Sequence, residues 1–339
     1  MMRRPAFMLA SAMLLAAGIA LARPAAQRRC PALATTPTPG CPIALPTEDY
    51  AGRFILTPRL ATGETLRLLT DSGGGLLILA DSAARFGLPL EDRDPGPGVY
   101  NTTTLPAFMP GHAIPAPLLR DGRLGVFARE GELGGDLMRG IDGLLGEAYF
   151  AGRTWTFDYL RRRILWRAPG DLPRVAAAHR VALAFKTDPA TGDRETNFAR
   201  ITVQIAGKDY PMLLDTGASN VLSPAALAQI GDGGPANRAT SFIGDAIYTE
   251  WRRDHPDWRA LDPIESLAGT AMIEVPRVTI AGYTVGPVWF SVEPSRAFRV
   301  RMAALMDRPI EGSAGGTILR FFRVSVDYPG AVAVFERAG

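Results

Sequence analysis

Two stretches of this 339-residue sequence follow the same plan. The first starts at Leu66, passes through Asp71-Ser72-Gly73-Gly74-Gly75 and runs to Gly87. The second starts at Tyr210, passes through Asp215-Thr216-Gly217 and runs to Gly231. In both, glycine stands 16 residues after the aspartate. An apolar, strand-like run precedes each aspartate and another follows it. A short helix-like stretch comes next, closed by glycine, the usual helix stop. Ser223-Pro224 is a helix start, a capping hydroxyl before a proline at the first helical position. A later block is doubled as well. Asp142-Gly143-Leu144-Leu145-Gly146 precedes Asp158, and Glu311-Gly312-Ser313-Ala314-Gly315 precedes Asp327, with 12 residues from the last glycine to the aspartate each time. Two matched blocks in one order predict a duplicated chain folded as two similar lobes.

Elsewhere the pattern is short apolar or alternating runs broken by Gly and Pro, as at 54–56, 201–205, 271–280 and 288–292. That is the pattern of an all-β protein with few helices. Ala168-Pro169-Gly170-Asp171-Leu172-Pro173 reads as a turn-rich join. The division predicted is lobe one at 48–168, a linker at 169–175 and lobe two at 176–338. Composition adds exclusions. Hydrophobic residues make up 47% and charged residues 21% of the chain, which argues against disorder and multi-pass membrane insertion. A net charge of +3 leaves no footprint for nucleic acid. His112, His179 and His255 share no metal-ligand spacing, and neither a G-x-S-x-G elbow nor a Walker loop occurs. No metal and no cofactor is expected.

Residues 1–22 have a basic start, an apolar run and an Ala20-Leu21-Ala22 end, the pattern of a secretory signal peptide, with an uncleaved membrane anchor as the alternative. A periplasmic or secreted location follows from the first reading. Residues 23–47 form a Pro-rich leader holding the two cysteines, Cys30 and Cys41, which export would join as a disulfide and which otherwise stand as free thiols.

Two Asp-[Ser/Thr]-Gly turns, each followed by an apolar block ending in Gly, resemble the aspartic protease superfamily. A single lobe is most similar to bacterial retropepsin-like domains, and two in one chain resemble the bilobal, pepsin-like arrangement of pseudo-twofold-related β-barrel-like lobes. The resemblance covers about residues 48–338. It implies an aspartic-type endopeptidase whose catalytic residues are Asp71 and Asp215, one per lobe, with water activated between them. The chemistry is coherent: two carboxylates held close share one proton, since like charges at contact cannot both ionise readily. One then serves as general base toward water and the other as acid toward the peptide carbonyl. By the same resemblance Gly73 and Gly217 bring backbone N–H groups to the carboxyls, Ser72 and Thr216 brace the loops across the lobe junction, and Leu144-Leu145-Gly146 supports the first loop from behind.

The sequence departs from the family pattern in three places. Thr70 stands where an apolar residue is usual, Gly74-Gly75 extends the first turn, and Gly312-Ser313-Ala314-Gly315 is smaller and less apolar than its counterpart. A substrate-covering flap is expected at 96–116, with Tyr100 and Phe108 as substrate-binding residues and Met109 and His112 nearby; a Pro-rich surface loop is the other reading. In lobe two, 232–270 reads as an insertion whose Trp251, His255 and Trp258 either line a cleft, dock a partner or lie in a solvated loop. The expected partner is a peptide or protein substrate, with no nucleic acid and, once the signal peptide is removed, no membrane. The chain is expected to be a monomer, its lobes an intramolecular pseudo-dimer. A non-catalytic peptide-binding relative and a structural envelope protein with a vestigial site are the competing functions.

Overall fold

The computed structural model describes residues 30, 34–92, 101–131, 135–262 and 271–337. Lobe one contains β1 (Arg53–Leu56), β2 (Leu68–Thr70), β3 (Leu76–Leu79), α1 (Ala80–Arg85), β4 (Asn101–Thr104), β5 (Arg123–Phe127), β6 (Gly143–Leu145) and α2 (Glu147–Phe150). The hairpin β7 (Thr154–Asp158) and β8 (Arg163–Arg167) leads into the junction. Lobe two contains β9 (Arg200–Ile205), β10 (Lys208–Leu214), β11 (Ser219–Val221), α3 (Pro224–Ile230), β12 (Asn237–Ala239), β13 (Ser241–Gly244), α4 (Asp245–Asp254), β14 (Met272–Val275), β15 (Val288–Glu293), β16 (Gly312–Ala314) and α5 (Gly316–Leu319). A second hairpin, β17 (Phe322–Asp327) and β18 (Val332–Arg337), completes the junction.

Six strands of each lobe share one plan. Lobe one is ordered β1-β2-β6-β3-β5-β4 and lobe two β9-β10-β16-β13-β15-β14. In each, the strand before the aspartate runs parallel to the late-block strand, which is antiparallel to its other neighbour. Burial follows sequence: β3 is Leu-Leu-Ile-Leu and wholly buried, as a strand with a parallel neighbour and two covered faces should be, whereas β9 alternates buried and exposed residues.

The two hairpins join the lobes. β7 and β17 pair antiparallel with Thr154 opposite Asp327, Thr156 opposite Ser325 and Asp158 opposite Arg323. This register is symmetric about Thr156 and Ser325, whose buried hydroxyls lie 2.7 Å apart. The repeated spacing from Gly146 to Asp158 and from Gly315 to Asp327 therefore places equivalent residues about one pseudo-twofold axis. Beneath it, Tyr149, Phe150, Trp155, Phe157 and Tyr328 form a network of edge-on and stacked rings, with each pair contributing about 0.5–1.5 kcal/mol beyond its buried area. One apolar core runs from Leu45 to Phe335 through both lobes.

The local repeat holds. α3 is capped by Ser223, whose Oγ accepts from the Ala226 N–H, and Gly231 ends it at φ 70°. Gly87 takes the same left-handed conformation after α1, at φ 60°. The sheet equivalence is shifted, however. In lobe one, β3 directly after Asp71 fills the slot beside β6; in lobe two, the matching slot beside β16 is filled by β13, while β11 pairs only with β12. The added material of lobe two is thus the unit β11-α3-β12, which overlaps the expected insertion at 232–270 only through β12. That stretch holds β13 and α4, the counterparts of β3 and α1; residues 263–270 lie outside the described part. Trp251 is in the core, donating from Nε1 to the Tyr210 hydroxyl at 2.9 Å. His255 stacks on Trp258 at 4.1 Å. Cys30 and Cys41 form a disulfide. Residues 1–22 lie outside the described part, and no described helix is long and apolar enough to cross a membrane.

Candidate active site

Each dyad aspartate follows a buried strand that runs parallel to a late-block strand, and its backbone is pinned there. The Asp71 N–H donates to Leu145 O at 3.0 Å and the Asp215 N–H to Ala314 O at 3.1 Å. The carboxyls are then fixed by their own turns: Gly73 N–H donates to Asp71 Oδ1 and Gly217 N–H to Asp215 Oδ1, both at 3.1 Å. The loops brace each other. Ser72 N–H donates to Thr216 Oγ1 at 3.1 Å, and Thr216 N–H to Ser72 Oγ at 3.0 Å. Each hydroxyl donates onward across the junction, Ser72 Oγ to Leu214 O at 2.7 Å and Thr216 Oγ1 to Thr70 O at 3.3 Å.

Glycine is required because each loop lies against the opposite carboxyl. A Cβ on Gly73 would stand 2.7 Å from Asp215 Cγ, and one on Gly217 2.3 Å from Asp71 Cγ. Gly74 is held tightly in the turn: a Cβ there would meet Asp71 Oδ2 at 2.3 Å, and its N–H donates to Asp71 O at 2.9 Å. Thr70 is also accommodated, buried with Oγ1 donating to Phe54 O at 2.9 Å.

The two carboxyls face each other across the paired loops, close enough that each alters the titration of the other. Both are half-buried and open onto the cleft. Loss of hydration raises the Asp71 carboxyl above the usual carboxylate range, while the bonds from Asp215 and Gly73 pull it back. Asp215 is pushed well above that range, first by burial and then by the negative charge of Asp71. This is the signature of a pair that holds one proton between two sites and titrates as a unit.

The dyad floors an open cleft of about 870 Å³ between the lobes. Lobe one contributes Leu69, Leu144, Leu137 and Met138, and lobe two Leu213, Phe242, Phe298 and Met302. Small apolar clusters back both walls. The walls come from the connections preceding β6 and β16, not from the expected flap. Phe108 bridges to Leu60 and packs on the main core away from the cleft, and Met109 and His112 do not line it either. Tyr100 lies outside the described residues. A second groove, about 730 Å³ on the flank of lobe one, is lined by Arg67, Arg85, Arg129 and Arg139, each paired with a carboxylate, and does not reach the dyad.

Sequence reasoning missed Arg53. It is 2% exposed in lobe one and reaches into lobe two, donating to Ser219 Oγ at 3.1 Å and Asn237 O at 3.4 Å. Burial pulls its guanidinium down to about 10. Ser219, a cleft residue, donates to Gly217 O at 2.6 Å, so a buried cation of one lobe steadies the Asp215 loop of the other. No pattern in a single sequence distinguishes such an arginine from a surface one. Among the described residues, no cluster of three or more His, Cys, Asp or Glu is placed to hold a metal ion.

No family model and no curated protein matches the sequence. Similar solved structures include an aspartic proteinase from Irpex lacteus, 11% identical with a TM-score of 0.47, covering 87% of this chain and 97% of that one. Conglutin gamma, a basic 7S globulin from lupine seeds, is 10% identical with a TM-score of 0.45, covering 88% and 95%. Basic 7S globulin from soybean is 9% identical with a TM-score of 0.42, covering 88% and 95%. The assignment of architecture rests on the chain's own lobes, axis and paired loops: it has an all-β, bilobal acid-protease-like fold.

Proposed function

We propose that the chain is an exported aspartic endopeptidase acting on peptide or protein substrates. The observation that carries this reading is the facing Asp71–Asp215 pair, held in reciprocally braced loops at the floor of an open interlobe cleft. With one proton on the pair, the ionised carboxylate accepts a proton from water as the water oxygen attacks the scissile carbonyl carbon. The protonated carboxyl donates to the carbonyl oxygen. Collapse of the tetrahedral species breaks the C–N bond, with a proton passing to the leaving nitrogen and the pair returning to its single-proton state. Export rests on the basic start, apolar run and Ala20-Leu21-Ala22 end of residues 1–22. The chain works as a monomer, since both carboxyls come from one polypeptide.

The test is incubation of the purified chain with a mixed peptide library from acid to neutral pH, with and without a statine-containing peptide. Cleavage blocked by the statine peptide supports hydrolysis. Tight peptide binding without cleavage at any pH replaces it with the peptide-binding alternative.

A further inference from the structure

The cleft is not symmetric, although the fold around it is. Leu144 in β6 faces Leu69 in register, and the equivalent pair in lobe two is Ser313 with Leu213. Ser313 lines the cleft, is 1% exposed, and its Oγ has no hydrogen-bond partner. A buried hydroxyl left unpaired is costly, by about 1–3 kcal/mol when nothing compensates. Lobe one offers no counterpart: apart from Asp71 its share of the cleft is Leu69, Leu137, Met138, Leu144 and two glycines.

A second asymmetry lies on the same side. The segment after β15 winds through a π-turn, Ala297–Arg301, and a 3-10 turn, Met302–Ala304. Phe298 and Met306 anchor it in the small core of lobe two, and Lys186 Nζ and Thr196 Oγ1 donate to its Ala304 and Leu305 carbonyls at 3.1 and 2.6 Å. The segment is therefore a fixed wall. It carries Arg301 into the cleft lining, and no described carboxylate pairs with that guanidinium. The neighbouring Arg299 is occupied by Glu311. Glu293 also lines the cleft and has a partner of its own.

We infer that Arg301 and Ser313 make the lobe-two side of the cleft selective for an acidic substrate side chain, while the lobe-one side takes an apolar one. A carboxylate seated there meets a guanidinium fork suited to bidentate pairing, over a cleft floor whose Ser313 hydroxyl the fold leaves unpaired. An apolar side chain in the same place leaves Ser313 orphaned, and a cationic one meets Arg301. The preferred substrate is then a peptide with an apolar residue on one side of the scissile bond and Glu or Asp on the other. This inference rests on the peptidase reading.

The experiment uses fluorogenic peptides that share one apolar residue at the scissile bond and vary its neighbour among Glu, Gln, Leu and Lys. The readout is the ratio of kcat/KM values within each variant. Wild type favours Glu over Lys by roughly threefold to tenfold or more, the range for a partly exposed charge-assisted contact. Arg301→Glu inverts that ratio. Arg296→Glu, the same charge change outside the cleft lining, keeps it. Ser313→Ala lowers the Gln-to-Leu ratio. Cleavage with no Glu-over-Lys preference, or a preference untouched by Arg301→Glu, overturns the inference while leaving hydrolysis standing. If no peptide is cut, the hydrolase reading fails, and the same peptides are ranked by fluorescence anisotropy of binding. Glu over Lys there, inverted by Arg301→Glu, sustains the selectivity; its absence overturns that too.

Discussion

Replacing Ser72 by alanine isolates the brace between the Asp71 and Asp215 loops from the carboxyls themselves. Ser72 Oγ donates to Leu214 O and accepts from Thr216 N–H, so the substitution strands one buried acceptor and one buried donor in the other lobe. Each unsatisfied group costs about 1–3 kcal/mol. The methyl side chain leaves only a small void, so the expected loss is about 2–6 kcal/mol in all. At roughly 2–4 °C per kcal/mol for a lobe-sized unit, Tm falls by about 4–24 °C. Turnover falls too, because the Thr216 loop carries Asp215, and small displacements of reacting groups are costly. Thr216→Val loses the reciprocal bonds, and in a double-mutant cycle the pair should couple by about 0.5–3 kcal/mol. Urea unfolding and calorimetry of the four proteins measure this. A loss below about 0.5 kcal/mol in Ser72→Ala, or strict additivity with Thr216→Val, would refute the reciprocal brace.

Three further outcomes follow from the same geometry. Gly217→Ala drives a Cβ into the Asp71 carboxyl, 2.3 Å from its Cγ, and should lower kcat by about 100-fold or more while the far-ultraviolet spectrum is kept; near-normal turnover contradicts the packing. Because the Asp215 carboxyl is raised on folding, its contribution to stability is full below the ordinary carboxylate range and is lost as pH rises through the raised value. Asp215→Asn, which cannot ionise, should therefore match wild type near pH 3 and be more stable near pH 7, and a Tm difference that does not change with pH counts against the strained pair. Arg53→Ala should destabilise by about 2–4 kcal/mol and lower kcat, since it removes buried stem packing and leaves Asn237 O and Ser219 Oγ without their donor; a neutral effect on unfolding would deny it the cross-lobe role.

What could be read from the sequence was whatever local chemistry writes in full. An aspartate followed by a hydroxyl and glycine has few turn geometries open to it, and the doubled spacing from Gly146 and Gly315 set the register at Thr156 and Ser325. Helix stops at Gly87 and Gly231 were legible because only the left-handed region fits there. Strand neighbours were not legible. β11 and β13 are both short runs after Asp215, and the slot beside β16 is decided by long-range packing of Phe242 and Ile243, which no local propensity encodes. The same holds for Trp251, whose flanking Arg252, Arg253 and Asp254 read as solvated while its ring is buried beside Tyr210 and Phe290. Phe108 was misplaced because aromatic residues in a Pro-rich loop look alike whether they cover a cleft or seal a core.

The central claim, that Asp71 and Asp215 act together on water, is tested most directly by kcat/KM for one cleaved peptide in wild type, Asp71→Asn, Asp215→Asn and the double variant. Asn is nearly isosteric but cannot take a proton from water or share one. Each single variant should lose activity by at least about 10⁴-fold, the upper end for a general acid–base group, with unfolding transitions retained. The double variant should be little worse than either, as expected of groups that act as a unit. Full cleavage by either single variant would contradict the shared-proton mechanism.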